Sequence, residues 1–277
     1  MRGFVKKMET TLEAPVRYML PLDEDAIHLN PLIGSRIRLE HFGNIYCQEC
    51  GRASRKSYSQ GYCYPCFKKL PQCDLCMMSP ERCHFAAGTC RDETFGETFC
   101  MQPHVVYLAN SSGLKVGITK HANIPTRWID QGAVQAIPML ETQSRQIAGF
   151  AEVIFKQHIS DRTQWQRMLK SASEHLDLVQ TRADLLATVG DELNSLKDKF
   201  GSSAFQPVES IEVTTLRYPV DQYPTKVTSL NLDKTPIIEG TLMGIKGQYL
   251  IFDIGVINIR KYTSYEIEIT EITQGLF

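Results

Sequence analysis

The chain has 277 residues, enough for one large domain or for two to three smaller ones. Apolar residues make up 43% of it and charged residues 22%, which excludes a long disordered region and indicates a globular protein. Thirty basic and 31 acidic side chains leave a net charge of −1, so the charge of the whole chain does not drive binding to nucleic acid or to a membrane.

Charge is nevertheless distributed unevenly along the chain. Residues 41–70 contain five basic residues and one acidic residue, and residues 104–170 contain eight basic and four acidic residues. Each segment therefore has a net charge of +4. A polyanion such as DNA or RNA is the partner that these two segments favour.

The sequence also indicates in which cellular compartment the protein is expected. No stretch approaches the roughly 20 apolar residues of a membrane helix, so no membrane partner is expected. The charge cluster between Arg2 and Lys7 is not followed by an apolar run, so we expect no secretory signal and a cytoplasmic location. All nine cysteines lie between positions 47 and 100, and in a reducing compartment such crowded thiols are expected to hold metal.

In chain order, the first predicted elements are strands at residues 16–20 and 36–40, where apolar and polar side chains alternate. The Cys-rich block at 47–100 has too few apolar residues for a core of its own, so metal has to replace hydrophobic burial there. Residues 104–110 and 114–119 are predicted to form a hairpin, and a helix is predicted to begin at Pro125.

Helices dominate the next part of the chain. Apolar residues recur with the helical period from 145 to 159, and Glu152 lies at the edge of that apolar face. A capping box at residues 163–166 predicts another helix. Residues 171–200 predict one amphipathic helix or two, with a weak point at Gly190 and an end at Gly201. Short strands return from 211 to the end of the chain.

Together these segments predict an α+β protein with strand-rich N- and C-terminal parts, a Cys-rich zinc-ribbon module, a small α/β domain and a helical extension. The predicted parts are residues 1–45, 46–103, 104–170, 171–204 and 205–277. Because both ends of the chain are rich in strands, we expect 1–45 and 205–277 to form one sheet or barrel.

Two C-x2-C pairs are the strongest metal signal. Cys47 and Cys50 form the first pair, Cys63 and Cys66 the second, and 12 residues separate them. Two such knuckles close a tetrahedron of thiolates around zinc, which leaves no open coordination position. The prediction is a structural zinc ribbon.

A second metal group is predicted from the remaining thiols. The even spacing of the cysteines favours the quartet Cys73, Cys76, Cys83 and Cys90, although Cys100 and His104 could displace one or two members. We expect His84 to be a hydrogen-bonding histidine rather than a ligand. Zinc is the first expectation, and an iron–sulfur cluster is the alternative.

Basic and aromatic residues alternate around the first ribbon. Arg52, Arg55 and Lys56, together with Lys120, are the candidate nucleic-acid-binding residues, since phosphate contacts and base stacking use such side chains. Alternatively, the tyrosines form the small core of the ribbon and the charges only solvate it.

The segment 104–170 resembles the GIY-YIG nuclease superfamily. The resemblance rests on Val105-Val106-Tyr107, on Lys115-Val116-Gly117-Ile118-Thr119, on Arg127 ten residues after the glycine, and on Glu152 in a following helix. It is closest to the phage- and bacterial-type branches, whose second motif reads Lys-Ile-Gly-x-Thr. The joining of a Cys-rich module to this domain also resembles a bacterial family of unknown function.

The resemblance implies a divalent-metal-dependent endonuclease that hydrolyses phosphodiester bonds. Glu152 would bind Mg²⁺ or Mn²⁺, and Arg127 would contact the phosphate. Tyr107 would orient or deprotonate the attacking water, assisted by Lys115. These residue types suit phosphodiester hydrolysis, which needs an activated water and neutralised phosphate charge.

The sequence departs from the family pattern at several positions. Gln131 stands where many family members have a histidine, Lys115 replaces the second tyrosine, and no downstream asparagine matches. Without a nuclease, Tyr107 would be an ordinary sheet aromatic, and Arg127 and Glu152 would form a surface salt bridge. We expect Trp128 to lie in the core.

Three functions therefore follow from the sequence. The first is a zinc-containing endonuclease, the second a zinc protein that binds DNA or RNA without cleaving it, and the third a scaffold that binds other proteins through the acidic helices and C-terminal strands. ATPases, α/β-hydrolases and zincins have no support, since their motifs are absent.

Overall fold

The computed structural model of the protein describes residues 1–159, 165–171 and 174–272. It has an α+β fold with a Cys-rich module, which confirms the predicted fold class. The predicted capping residues Thr163 and Gln164 lie outside the described residues. In the described part of the chain, none of the helices has both the length and the apolar character needed to cross a membrane.

Five strands form from the first 45 residues: β1 (Arg2–Phe4), β2 (Glu9–Thr11), β3 (Arg17–Leu22), β4 (Asp25–His28) and β5 (Arg36–Ile45). The two predicted strands correspond to β3 and β5, and β5 runs on past the predicted end. Strands β2, β3 and β4 make a small antiparallel sheet of their own.

The Cys-rich segment that follows has little regular structure. It contains α1 (Tyr64–Lys69), four short 3-10 turns, α2 (Glu93–Phe95) and a π-helical turn (Gly96–Cys100). Among the described residues, no side chain from 46–103 belongs to any of the three hydrophobic cores. Something other than apolar burial must therefore hold this segment in place.

The central part contains β6 (His104–Asn110), β7 (Leu114–Thr119), α3 (Thr126–Asp130), β8 (Gln135–Thr142), α4 (Arg145–Lys156) and α5 (Trp165–Met168). The hairpin β6–β7 and the helix α4 confirm the predictions for these segments. Strand β8 was not predicted, because Pro138 interrupts its pattern; the structure accommodates the proline at a register shift opposite Tyr107.

The rest of the chain consists of α6 (Leu178–Thr188), α7 (Gly190–Phe200), β9 (Phe205–Pro207), β10 (Thr214–Thr215), β11 (Ile237–Lys246), β12 (Tyr249–Phe252), β13 (Gly255–Asn258) and β14 (Tyr265–Glu271). The helical stretch breaks next to Gly190, and α7 ends at Gly201, whose φ of +96° suits glycine.

Strands from both ends of the chain share a six-stranded antiparallel sheet in the order β1-β14-β5-β11-β12-β13. The second sheet has the order β10-β8-β6-β7, with β9 also paired to β8. Residues 205–215 thus join the central sheet and not the C-terminal one, since Phe205 is buried in the core beneath α4.

The two faces of the central sheet belong to different cores. Val106 and Leu108 pack with α4, whereas Tyr107 shares the other core with Trp128 of α3. Successive side chains of a strand point to opposite faces, which explains this division. Helices α3 and α4 therefore lie on opposite faces, and β7 is the edge strand at which groups from both faces can meet.

Candidate functional site

The four cysteines of the two C-x2-C pairs come together as predicted. The sulfur atoms of Cys47, Cys50, Cys63 and Cys66 all lie within 4.8 Å of one another, and the Cys50 and Cys63 sulfurs are 3.7 Å apart. Zn–S bonds of about 2.3 Å in a tetrahedron require S–S distances near 3.8 Å. The cluster is therefore compatible with a structural zinc ion.

The local sequence builds each half of this cluster. The Gly51 amide donates to the Cys47 carbonyl at 2.9 Å, and Gly51 adopts a φ of +66° that favours glycine. The second pair lies at the start of α1, where Pro65 occupies the first turn and the Phe67 amide donates to the Cys63 carbonyl at 2.9 Å. A tight turn and a helix start thus present two thiols each.

Electrostatics favour a thiolate at one ligand. Burial of Cys47 opposes ionisation, but hydrogen bonds from backbone amides, with that of Cys50 the strongest, outweigh it and lower the pKa of Cys47 to about 6. Burial and the neighbouring thiols raise the pKa of Cys66. One thiolate is therefore available at neutral pH to begin metal capture.

The second group assembles differently from the favoured prediction. Cys76, Cys83, Cys90 and Cys100 line one small cavity, together with Asp74 and His84 among others. Cys73 does not line it; burial raises the pKa of the Cys73 thiol, which lies within electrostatic reach of both Arg91 and Cys47. Cys100 thus stands with the group in place of Cys73, because α2 and the π-helical turn bring the chain back to Cys76.

The two histidines have partners of their own. His84 Nδ1 hydrogen-bonds with Thr89 Oγ1 at 2.9 Å, and together with Asp74 and Cys76 it forms a mixed group whose ligand atoms lie within 4.8 Å. His104 is not among the residues that line the cavity. Its Nδ1 contacts the Gln102 carbonyl at 2.8 Å, and burial lowers its pKa to about 4, so His104 is neutral at pH 7.

The hydroxyl of Tyr107 is held at the edge of the central sheet. Tyr107 pairs with Gly117 of β7, and a Cβ atom on Gly117 would lie 2.5 Å from the phenol oxygen. The ring therefore crosses β7 where the glycine leaves room. The hydroxyl donates to Gln131 Oε1 at 2.9 Å, and the ring meets Trp128 edge-on with centroids 5.9 Å apart. Trp128 is buried, as expected.

Two charged side chains act on this hydroxyl. Burial raises the pKa of Tyr107 to about 12; the Arg127 guanidinium lowers it and the Glu152 carboxylate raises it further. Arg127 comes from α3 and Glu152 from α4 on the other face, so their charges meet at the β7 edge. Glu152 also pairs with Lys156 one turn along α4, with 3.2 Å between Oε1 and Nζ.

Lys115 lies on the same strand as Gly117. It pairs with Ala109, and alternation along β6 and β7 puts Lys115 on the face that carries Tyr107. Its side chain is buried. The structure therefore brings Arg127 and Glu152 each within electrostatic reach of the Tyr107 hydroxyl. It places Lys115 two residues from Gly117 on the face that carries Tyr107.

The candidate nucleic-acid-binding residues differ in the contacts that their side chains make. Arg52, Arg55 and Lys56 are exposed, and within the described chain none of them has an acidic partner. Lys120 instead donates to the Thr98 carbonyl at 3.0 Å and lies 4.3 Å above the Phe99 ring. Rings of the ribbon pack together: the Tyr58 ring lies 5.8 Å from that of Phe67 and 5.4 Å from that of Tyr64, although Tyr64 stays exposed.

Sequence reasoning missed two residues of this region. Gln131 was noted only as a departure from a family pattern, although its position one helical turn after Arg127 could have indicated a contact with the same group. Arg145 gave no signal of its own: it reaches from α4 to the carbonyls of Cys76 and Met77 at 2.8 and 2.7 Å.

Comparison with known proteins identifies a family. A family model described as "Protein of unknown function (DUF2797)" matches residues 34–267, so the chain belongs to this family. The match runs from the turn before β5 into β14 and includes all nine cysteines and the central sheet. No curated protein and no solved structure matches the chain.

Proposed function

We propose that the protein is a divalent-metal-dependent phosphodiesterase that cleaves DNA or RNA, with Tyr107, Lys115, Arg127 and Glu152 at its active site. The observation that carries the proposal is that a guanidinium and a carboxylate both lie within electrostatic reach of the Tyr107 phenol, next to the edge strand β7. The resemblance of this segment to GIY-YIG nucleases supports the same reaction.

Glu152 would hold the metal. A single carboxylate suits a Mg²⁺ or Mn²⁺ ion that keeps several waters, and when bound such an ion neutralises charge on the phosphate. Glu152 Oε1 lies 3.2 Å from Lys156 Nζ, so a metal ion would compete with this lysine for the carboxylate. Arg127 would hold a phosphate oxygen in bidentate fashion.

Tyr107 would act as a neutral phenol. With a pKa of about 12, it retains its proton at physiological pH and cannot serve as a strong base. Its hydroxyl, fixed by Gln131, would position the attacking water or the phosphate by hydrogen bonding. The positive charge of Lys115 on the same face would add to that of Arg127 as negative charge develops on the phosphate.

The exposed cations of the ribbon would extend the substrate surface. Arg52, Arg55 and Lys56 are exposed in the same module as the exposed Tyr64, which suits contacts to phosphates and stacking on a base. Such contacts hold the polymer without reading its sequence.

A second candidate is a nucleic-acid-binding protein that does not cleave. The pairing of Glu152 with Lys156 and the raised pKa of Tyr107 favour it, because both groups are then engaged in structural roles. It predicts the same salt-dependent binding, with a negative slope of log affinity against log salt, and no metal-dependent product.

The experiment is to incubate the purified protein with labelled single- and double-stranded DNA and RNA, with and without Mg²⁺ or Mn²⁺. The proposal predicts cleavage by the wild type and by the control Glu192→Gln, which alters an exposed helix carboxylate on α7. It predicts none by Glu152→Gln or Arg127→Ala.

Binding measured in the same samples separates the alternatives. Retained binding by Glu152→Gln without cleavage supports the phosphodiesterase. Equal cleavage by all four proteins would assign the activity to a contaminant, and binding without cleavage by the wild type on every substrate would favour the second candidate.

A further inference from the structure

The cavity between α2 and the turns at residues 75–87 has the size of one ion. Its volume is about 10 Å³, and its lining includes four thiols, those of Cys76, Cys83, Cys90 and Cys100. A space of this volume accepts a single water-sized particle.

The four thiols are the groups in this cavity with the fewest other commitments. Cys76 and Cys100 are buried, and Cys83 and Cys90 are half-buried. Of these four, Cys90 is the one whose sulfur makes a hydrogen bond within the described chain, to the Asp92 carbonyl at 3.2 Å. Unlike those of the first cluster, these four sulfurs do not all lie within 4.8 Å of one another among the described residues. Four thiols that line one cavity in a segment that joins no hydrophobic core nevertheless indicate a metal site.

The other polar groups of the cavity are already engaged. Asp74 accepts the Cys76 amide at 3.3 Å and forms an ion pair with Arg91. His84 hydrogen-bonds through Nδ1 to Thr89. A ligand set of Asp74, Cys76 and His84, the last through Nε2, would compete with the ion pair between Asp74 and Arg91 and would leave three thiols unused.

Charge balance also fits a metal bound by four thiolates. Zinc with four thiolates has a net charge of −2. The half-buried Arg145 guanidinium lies within electrostatic reach of Cys100, Cys76 and Cys83, and Lys120 within reach of Cys100. Two cations thus surround the position at which the excess negative charge would develop.

The loop that carries these thiols supports α4 directly. Arg145 donates to the carbonyls of Cys76 and Met77 at 2.8 and 2.7 Å, and Gln146 donates to the Cys83 carbonyl at 2.7 Å. One turn later, Gly149 approaches the 80–82 turn so closely that a Cβ would lie 2.6 Å from the Glu81 amide nitrogen. Glu152 follows three residues after Gly149.

We propose that Cys76, Cys83, Cys90 and Cys100 hold a second structural zinc ion, which fixes the 75–87 turns and through them the start of α4. An effect of this zinc ion on catalysis rests on the proposed function, because α4 carries Glu152. The zinc site itself does not depend on the proposed function.

The test is the metal content of the full-length protein by mass spectrometry, with wild type, Cys90→Ser, Cys100→Ser, Cys73→Ser and His84→Ala compared. The proposal predicts two zinc ions per chain in wild type, Cys73→Ser and His84→Ala, and one in Cys90→Ser and Cys100→Ser. Cys73 is the matched control, since it is a buried thiol of the same module. Cobalt substitution of the wild type should give two tetrathiolate spectra, which does not depend on any variant folding.

Several results would overturn the proposal: one zinc ion in the wild type, two in Cys90→Ser and Cys100→Ser, iron in place of the second zinc, or loss of zinc in His84→Ala. Hydrogen exchange supplies the second readout, and α4 amides should exchange faster in Cys90→Ser than in Cys73→Ser. Equal exchange would refute the support of α4. None of these readouts depends on cleavage, so the two proposals fail separately.

Discussion

The Tyr107 hydroxyl donates a hydrogen bond of 2.9 Å to Gln131 Oε1, which links strand β6 to the end of α3. The phenol is buried, so the amide oxygen supplies a partner that water cannot easily replace. The bond therefore fixes the hydroxyl beside Arg127 while leaving it protonated.

A double-mutant cycle tests this bond. Gln131→Leu should cost about 1–3 kcal/mol of unfolding free energy, because it leaves a buried hydroxyl unsatisfied. Tyr107→Phe removes the donor, so the second change should then cost less, with a coupling on the order of 1 kcal/mol. Urea denaturation of the four proteins measures it. Strict additivity would show that the two groups do not interact.

Gly117 is predicted to be required for space rather than for backbone conformation. A Cβ there would lie 2.5 Å from the phenol oxygen of Tyr107 and 2.7 Å from the ring carbon that bears it. We expect Gly117→Ala to cost about 1–3 kcal/mol and to displace the hydroxyl. Gly190→Ala is the control, because no atom lies within 4 Å of its Cβ position, and it should be neutral or slightly stabilising. Wild-type stability in Gly117→Ala would contradict the close approach.

The first metal cluster should be separable from the second. Cys50 is exposed, so Cys50→Ser changes little besides one ligand. We expect it to lose one equivalent of zinc and to make residues 46–69 sensitive to proteolysis, because this segment adds nothing to the hydrophobic cores. Zinc release titrated with a chromogenic chelator measures the loss, with Cys73→Ser as the control. An unchanged zinc content would show that this cluster does not bind metal.

Lys246 should make stability depend on alkaline pH. It is fully buried between Tyr218 and Tyr223, 5.5 and 5.3 Å from their rings, and burial lowers its pKa to about 8. In the unfolded chain the lysine pKa is about 10.4, so between these two pKa values the unfolded chain binds more protons than the folded protein. The unfolding free energy should therefore rise with pH from about 8 to about 10.4, by an amount on the order of 3 kcal/mol from this residue.

Denaturation at several pH values gives the unfolding free energy of the wild type and of each variant, and the difference between them measures the contribution of Lys246. Lys246→Met should remove the rise, whereas the control Lys234→Met, which alters an exposed lysine, should retain it. A pH dependence that is the same in Lys246→Met and in the wild type would show that Lys246 is charged in the folded protein.

What the sequence predicted follows the range of the interactions. The C-x2-C pairs and the β6–β7 hairpin are local, so spacing and alternation predicted them. Which cysteines line the cavity with Cys76 depends on how the chain folds back after α2. This fold places Cys100, and not Cys73, in the cavity lining. Strand β8 was not predicted for the same reason: the sheet can accept Pro138 only because the register shifts opposite Tyr107. Contacts that depend on the packing of distant segments leave no periodic signal.

The same distinction applies to the candidate active site. Tyr107, Lys115 and Arg127 lie close together in the sequence, on β6, β7 and α3, so alternation and the helix start predicted the elements that carry them. The approach of Glu152 from the opposite face depends on the docking of α4 against the 80–82 turn, where Gly149 permits contact. Sequence periodicity placed Glu152 on the edge of its helix but could not reveal that support.

The most direct test of the account is the single-turnover cleavage rate of Glu152→Gln in Mn²⁺, measured beside the wild type with both zinc contents verified. The substitution preserves shape and removes the charge that would hold the metal. The account predicts a loss of at least about 100-fold, on the scale of removing a group that stabilises the transition state, with substrate binding retained. A rate equal to that of the wild type would contradict it.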